Sequence, residues 1–154
     1  MLEILTHMSK LDRPARVVDP SSFVAAPGIW AAVQADGSLA NCDVAAVKTL
    51  HKMVIGSKSS NIYEGHDVEV GRIGTVESVG IRCKVDGEGY AGTVLQGSML
   101  YVSYNTTGTS TIGKLRDTVE AGHETGNREI VGRCEEVGTD YIVFKTIAPY
   151  VATL

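Results

Sequence analysis

Long hydrophobic runs, an excess of positive charge, dense aromatics and pairable cysteines are all missing from this 154-residue chain. No stretch approaches the ~20 apolar residues of a membrane-spanning helix. The opening MLEILTHMSK carries Glu3 where a secretory leader has positive charge, and it holds no apolar core of leader length. The expectation is a protein made in the cytoplasm with no membrane partner, in which the sequon Asn105-Thr106-Thr107 plays no part in glycosylation. Cys42, Cys83 and Cys134 are odd in number and widely spaced, which fits neither a disulfide framework nor a zinc knuckle. Formal net charge is −4 and the lysines and arginines are scattered singly, so the footprint of a phosphate-backbone binder is absent and nucleic acid is not expected as a partner.

What the chain does have is glycine, 17 residues, punctuating short apolar runs. TVESVGIRCKV, GYAGTVLQ, SMLYVSY, EIVGRC and DYIVFKTI are each too short or too aperiodic for an amphipathic helix. The expected fold is mainly β, a single sandwich or barrel of about eight to ten strands. A chain of this size buries roughly two-thirds of its unfolded surface and needs no disulfide or metal to fold.

Residues 1–27 read differently from the rest. Pro14, Pro20 and Pro27 deny donors to a continuous ladder, so these residues are expected to form an extended N-terminal arm or edge segment, with residues 28–154 as the β domain. The ungrouped apolar residues Leu2, Ile4, Leu5 and Leu11, with Arg13 and Arg16, are the expected partner-contact set. Removing residues 1–12 is accordingly expected to leave the stability of the domain almost unchanged.

Along the domain, GIWAAVQ and SLANC flank Asp36-Gly37, a strong hairpin signal. DVAAVKTLHKMVIG is ambiguous until a strand at Met53–Gly56, and residues 61–67 read as loop. Val68 and Val70 have the opposite parity to Ile73, Val79, Ile81, Cys83 and Val85, which requires a register shift between Gly71 and Gly74. Val79 to Val85 alternates, with Gly80, Arg82 and Lys84 toward water, and stops at Asp86-Gly87. SMLYVSY and DYIVFKTI are apolar on both faces, as central strands are. KLRDTVEAGHETGN fits either one short helix or a long loop.

No grouping that a catalytic mechanism needs is found. Gly108 to Lys114 imitates a phosphate-binding loop, but Leu115 stands where a hydroxyl would ligate magnesium and no βαβ unit surrounds it, so a hairpin loop is the better reading. Glu64, His66, Asp67 and Glu69 lack the ligand rhythm of a hard-cation or zinc site, and His123-Glu124 lacks a second histidine. His7 and His51 are isolated. Cys83 shares a face with Ile81 and Val85 and reads as a buried, inert thiol, whereas Cys134 reads as more exposed. Glu135 and Glu136 point to opposite sides of a strand and cannot form a dyad. Trp30, Tyr63, Tyr90, Tyr101, Tyr104, Tyr141 and Tyr150 are spread too thinly for a stacking platform and read as core or interface anchors. No catalytic residue, cofactor or metal is expected.

A series of phrases in fixed order carries a further signal. Gly28-x-Trp30, Asp36-Gly37-Ser38-Leu39, Ile55-Gly56-Ser57, Tyr63-Glu64 with Asp67-Val68, Gly71-x-x-Gly74-Thr75-Val76, Gly97-x-x-Leu100-Tyr101-Val102, Gly113-Lys114-Leu115, Val131-Gly132-Arg133 and Tyr141-Ile142-Val143 together resemble the capsid decoration (cement, head-stabilising) proteins of tailed bacteriophages. The chain departs from that pattern in the polar stretch Asn105 to Ile112 and in Asp43 to Lys52. The resemblance implies a β-tulip-like domain without catalytic residues or cofactor, seated on the exterior of the expanded capsid of the virion. There it would contact the major capsid protein and self-associate as a dimer or trimer. Tail-tube, baseplate or fibre-attachment modules, a carbohydrate-binding sandwich, and an enzyme using Gly108 to Lys114 are the alternatives.

Overall fold

The computed structural model describes residues 1–5, 12–17, 27–42, 51–57, 67–71, 79–103, 112–118 and 127–153. Eleven strands and no helix lie among them: β1 (Leu2–Ile4), β2 (Asp12–Arg16), β3 (Trp30–Val33), β4 (Leu39–Ala40), β5 (His51–Ser57), β6 (Asp67–Gly71), β7 (Arg82–Asp86), β8 (Met99–Val102), β9 (Leu115–Arg116), β10 (Asn127–Val137) and β11 (Tyr141–Thr153). They form a six-stranded sheet in the order β1-β7-β11-β10-β8-β9 and a five-stranded sheet in the order β2-β6-β5-β3-β4. Every ladder is antiparallel. The mainly β, sandwich-like expectation holds, with more strands than the eight to ten counted from sequence.

Alternation explains which face each strand buries. In β7, Cys83 and Val85 are buried while Arg82 is exposed. The neighbouring β11 matches this register, Phe144 opposite Cys83 and Ile142 opposite Val85, and all four belong to the main core. The runs apolar on both faces are interior strands: β8 lies between β10 and β9, and β11 between β7 and β10. In the five-stranded sheet, Trp30 pairs with Met53 and faces the same main core, whereas Ala31, Leu39, Val54 and Val17 build a second cluster on its other face. One cluster therefore ties the sheets together and the other lies on the opposite face of the smaller sheet.

Both sheets curl. An isolated bridge joins Val17, just past β2, to Leu39 of β4, so the two edges of the five-stranded sheet meet at a single point without a continuous closing ladder. Tyr90, beyond the Asp86–Gly89 turn that follows β7, likewise bridges Leu115 on the far edge of the six-stranded sheet. Pro149 lies where β10 and β11 lose register between the pairs Ile130–Tyr150 and Gly132–Thr146, a place where a missing N–H breaks no regular ladder.

Several local expectations are corrected. Val79 does not extend the core face of β7; it is 41% exposed, because Gly80 turns the chain at a φ of 86° before the strand begins. The strand expected at Met53–Gly56 runs from His51 to Ser57, and Asp67, read as loop, opens β6. Asp36-Gly37 does sit in a β3–β4 hairpin, but the loop spans Gln34 to Ser38, closed by the Gln34 N–H donating to the Ser38 carbonyl at 2.8 Å. Residues 43–50, 72–78, 104–111 and 119–126 are outside the described residues, and with them the expected Gly71–Gly74 shift and the helix-or-loop question.

Candidate functional site

The feature that sequence reading passed over is a polar cluster sealed in the core. His51 opens β5 and Glu129 lies on β10, so they belong to different sheets. Their exposures are 2% and 4%. The Glu129 Oε1 accepts the His51 backbone N–H at 3.2 Å and lies 3.6 Å from His51 Nδ1, beyond hydrogen-bonding reach but within ion-pair distance. Register places Trp30 on the same face: Trp30 pairs with Met53 and Ala32 with His51, so Trp30 and His51 are diagonal neighbours on the side that faces the six-stranded sheet. The Trp30 Nε1 and both His51 ring nitrogens are buried and have no hydrogen-bond partner among the described residues.

A bulge accounts for the inward glutamate. In the string NREIVGRCEEV, strict alternation would put Glu129 with Arg133 and Glu135, on the side away from Cys134. Arg133 is indeed exposed and Cys134 buried. Relative to β8, where Ile130 lies opposite Tyr101 and Gly132 opposite Leu100, β10 carries one extra residue, which reverses parity for everything before it; relative to β11 the extra residues lie on β11. Val131 and Glu129 thereby join the inner face.

The expected partner-contact residues divide. Leu2 and Ile4 are half-buried, packed against the main core from β1, the edge strand beside β7. Leu5 is 40% exposed and Arg16, at the end of β2, is exposed. Arg13 takes part in β2 through its backbone, opposite Val70, while Leu11 lies outside the described residues. On the outward face of β7, β10 and β11, Arg82 Nε donates to Glu135 Oε2 at 2.6 Å, and Lys84 lies 4.2 Å over the ring of Tyr141. The Tyr141 hydroxyl donates to Glu136, which raises its pKa.

Of the Gly108–Lys114 segment, Ile112 to Lys114 are described, and they lead into β9, which pairs with β8 as a hairpin. The Lys114 ammonium donates to the Gly87 carbonyl at 2.8 Å, and the Gly113 carbonyl accepts the Trp30 N–H at 2.8 Å. Both groups are engaged in holding the fold. Trp30 and Tyr101 are buried, Tyr90 and Tyr141 are partly buried, Tyr150 is exposed, and Tyr63 and Tyr104 lie outside the described residues, so those described do not gather on one exposed face. Among the described residues no group of three or more His, Cys, Asp or Glu is placed to hold a metal ion.

All three cysteines are free thiols in the core. Cys134 corrects the expectation of exposure: it faces inward opposite Phe144, and burial raises its pKa. Cys83 is fully buried and its thiol is pushed up to about 12 by desolvation, so the nucleophilic thiolate is scarce at neutral pH. Cys83 is expected to resist a thiol reagent under native conditions and to react on unfolding. Cys83→Ser should lower stability by about 1 to 3 kcal/mol, since a hydroxyl replaces the thiol in an apolar setting. Rapid native labelling would show that β7 does not face the core as described. No protein-family model, curated protein or solved structure matches the chain.

Proposed function

We propose that the protein is a structural component of a virion, made in the host cytoplasm, that binds the outside of the expanded capsid of a tailed bacteriophage and bridges its major capsid subunits. The observation that carries this reading is that the phrases of the resemblance meet in one frame. Trp30 of the first phrase donates its N–H to Gly113 of the GKL phrase; Leu115 of that phrase pairs with Val102; and Leu100 lies opposite Gly132 of the VGR phrase. Segments far apart in sequence thus form adjacent joints of a single two-sheet body.

Such a body acts by position. A copy that touches two capsid subunits gains the second contact intramolecularly, and many copies on one shell multiply the effect. A protein that binds only the expanded lattice stabilises that lattice by mass action. Self-association on the shell and the exposed Leu5 and Arg16 belong to this proposal. The test is co-sedimentation with undecorated shells, expanded and unexpanded, of the phage that encodes the chain. Saturable binding to the expanded form alone is the expected result. Binding to neither form, or assembly into rings without shells, would overturn the reading in favour of another virion module.

A further inference from the structure

We infer that the outward face of the six-stranded sheet carries a docking row for a short acidic segment of a partner protein, read by Arg82, Lys145 and Arg133 together and flanked by Leu5 and Met99. Register sets the row. Lys145 of β11 lies directly opposite Arg82 of β7 on one side and Arg133 of β10 on the other, while Arg133 lies opposite Met99 of β8. The Leu5 N–H donates to the Arg82 carbonyl, which brings Leu5 to the other end. Phe144 and Cys134 point into the core, so their neighbours Lys145 and Arg133 stand on the opposite face, and both are exposed. At the usual strand spacing these positions span about 19 Å across the sheet.

Cations in consecutive cross-strand positions work against the fold, because like charges directly opposite one another repel. The chain as a whole is acidic, at a formal −4, and yet among the described residues neither Lys145 nor Arg133 has an ion-pair partner. One carboxylate already shows what the row accepts: Glu135 Oε2 receives Arg82 Nε–H at 2.6 Å, which leaves the other two cations open. A short acidic stretch fits this row better than a nucleic acid strand does. Toward the β10–β11 turn the same end of the sheet carries Glu136, Asp86 and Asp140, with Lys84 held over Tyr141, so a long uniform polyanion would run into carboxylates. Leu5, 40% exposed, and the half-buried Met99 offer the segment an apolar contact at each end. Residues 6–11 and 72–78 adjoin β1 and the Gly80 turn in sequence and lie outside the described residues, so the variants that test the row are placed on β10 and β11.

The inference stands on this face alone and does not require the partner to be a capsid subunit. The probe is a labelled peptide of consecutive glutamates with a leucine at each end, titrated into the intact protein beside its glutamine counterpart and an oligothymidylate of matched length. The amide resonances of Arg82, Lys145 and Arg133 are expected to shift with the glutamate peptide only. Lys145→Gln and Arg133→Gln should each weaken its binding by about three- to fivefold and together by about tenfold or more, and added salt should weaken it too. Melting temperatures of these variants should be no lower than that of wild type, since each relieves a repulsive pair. Failure of the glutamate peptide to bind, equal binding of the glutamine peptide, or unchanged affinity in the double variant overturns the inference. Tighter binding of the oligothymidylate overturns it in favour of nucleic acid. A clear fall in the melting temperature of the variants overturns it as well, by assigning the row to the fold.

Discussion

Gly113→Ala is expected to cost about 3 to 5 kcal/mol, among the largest losses available from removing a single hydrogen atom in favour of a methyl. Gly113 has a φ of 76°, where an L-residue is strained. A Cβ there would also run into the Trp30 carbonyl oxygen and come within 2.7 Å of the Ile29 side chain. Relief would require the Ile112–Gly113 turn to back away from β3, breaking the bond from Trp30 N–H to Gly113 and loosening the tryptophan at the centre of the core. Gly37→Ala is the control. Its φ of 85° is as unfavourable, but nothing lies within 4 Å of the added carbon, so only the backbone strain of about 1 to 2 kcal/mol remains. Denaturant unfolding of both variants separates the two contributions. Equal losses would mean that the Gly113–Trp30 contact is not present in solution.

Removing residues 1–5 is expected to destabilise the protein by about 2 to 3 kcal/mol and to lower its melting temperature by roughly 4 to 10 °C. This reverses the expectation of a dispensable arm. Leu2, Ile4 and their backbones pair with Val85 and Cys83, and both side chains pack against the main core. The Leu5 N–H donates to the Arg82 carbonyl, and the Met1 amine lies 2.7 Å from Asp86. That last pair is on the surface and contributes little. Without β1, the outer side of β7 becomes an open edge, so the truncated protein should also associate more readily. A melting temperature within about a degree of wild type would show that the strand does not form in solution. Measured beside shell binding, the truncation separates two roles. Lost occupancy at an unchanged melting temperature would place residues 1–5 on the capsid, whereas a parallel fall of both would place them in the fold.

Much of the frame was legible without coordinates because period-two alternation is a local property. Cys83 and Val85 inward with Arg82 outward, and the doubly apolar β8 and β11, follow from one residue type following another, and burial then selects the face. The hairpin around Asp36-Gly37 was readable for a similar reason, since turn chemistry acts over a few residues. Val79 escaped this reading because a positive-φ glycine, Gly80, interrupts the alternation at the point where the pattern still looks intact.

The sequence by itself determined the class of fold, the apolar faces of its clearest strands and the buried state of Cys83, because each depends on neighbours along the chain. Tertiary structure alone decided which strands became partners. Residues 1–17 contribute edge strands to two different sheets, a choice set by open edges at β7 and β6 that no local pattern reveals. It alone also decided the fate of Glu129. One residue at Val131, extra relative to β8, turns an apparent surface carboxylate into the core and brings it to a histidine 78 positions away. A bulge is the compromise between two ladders, so the side chain it redirects is known only when both neighbouring strands are in place.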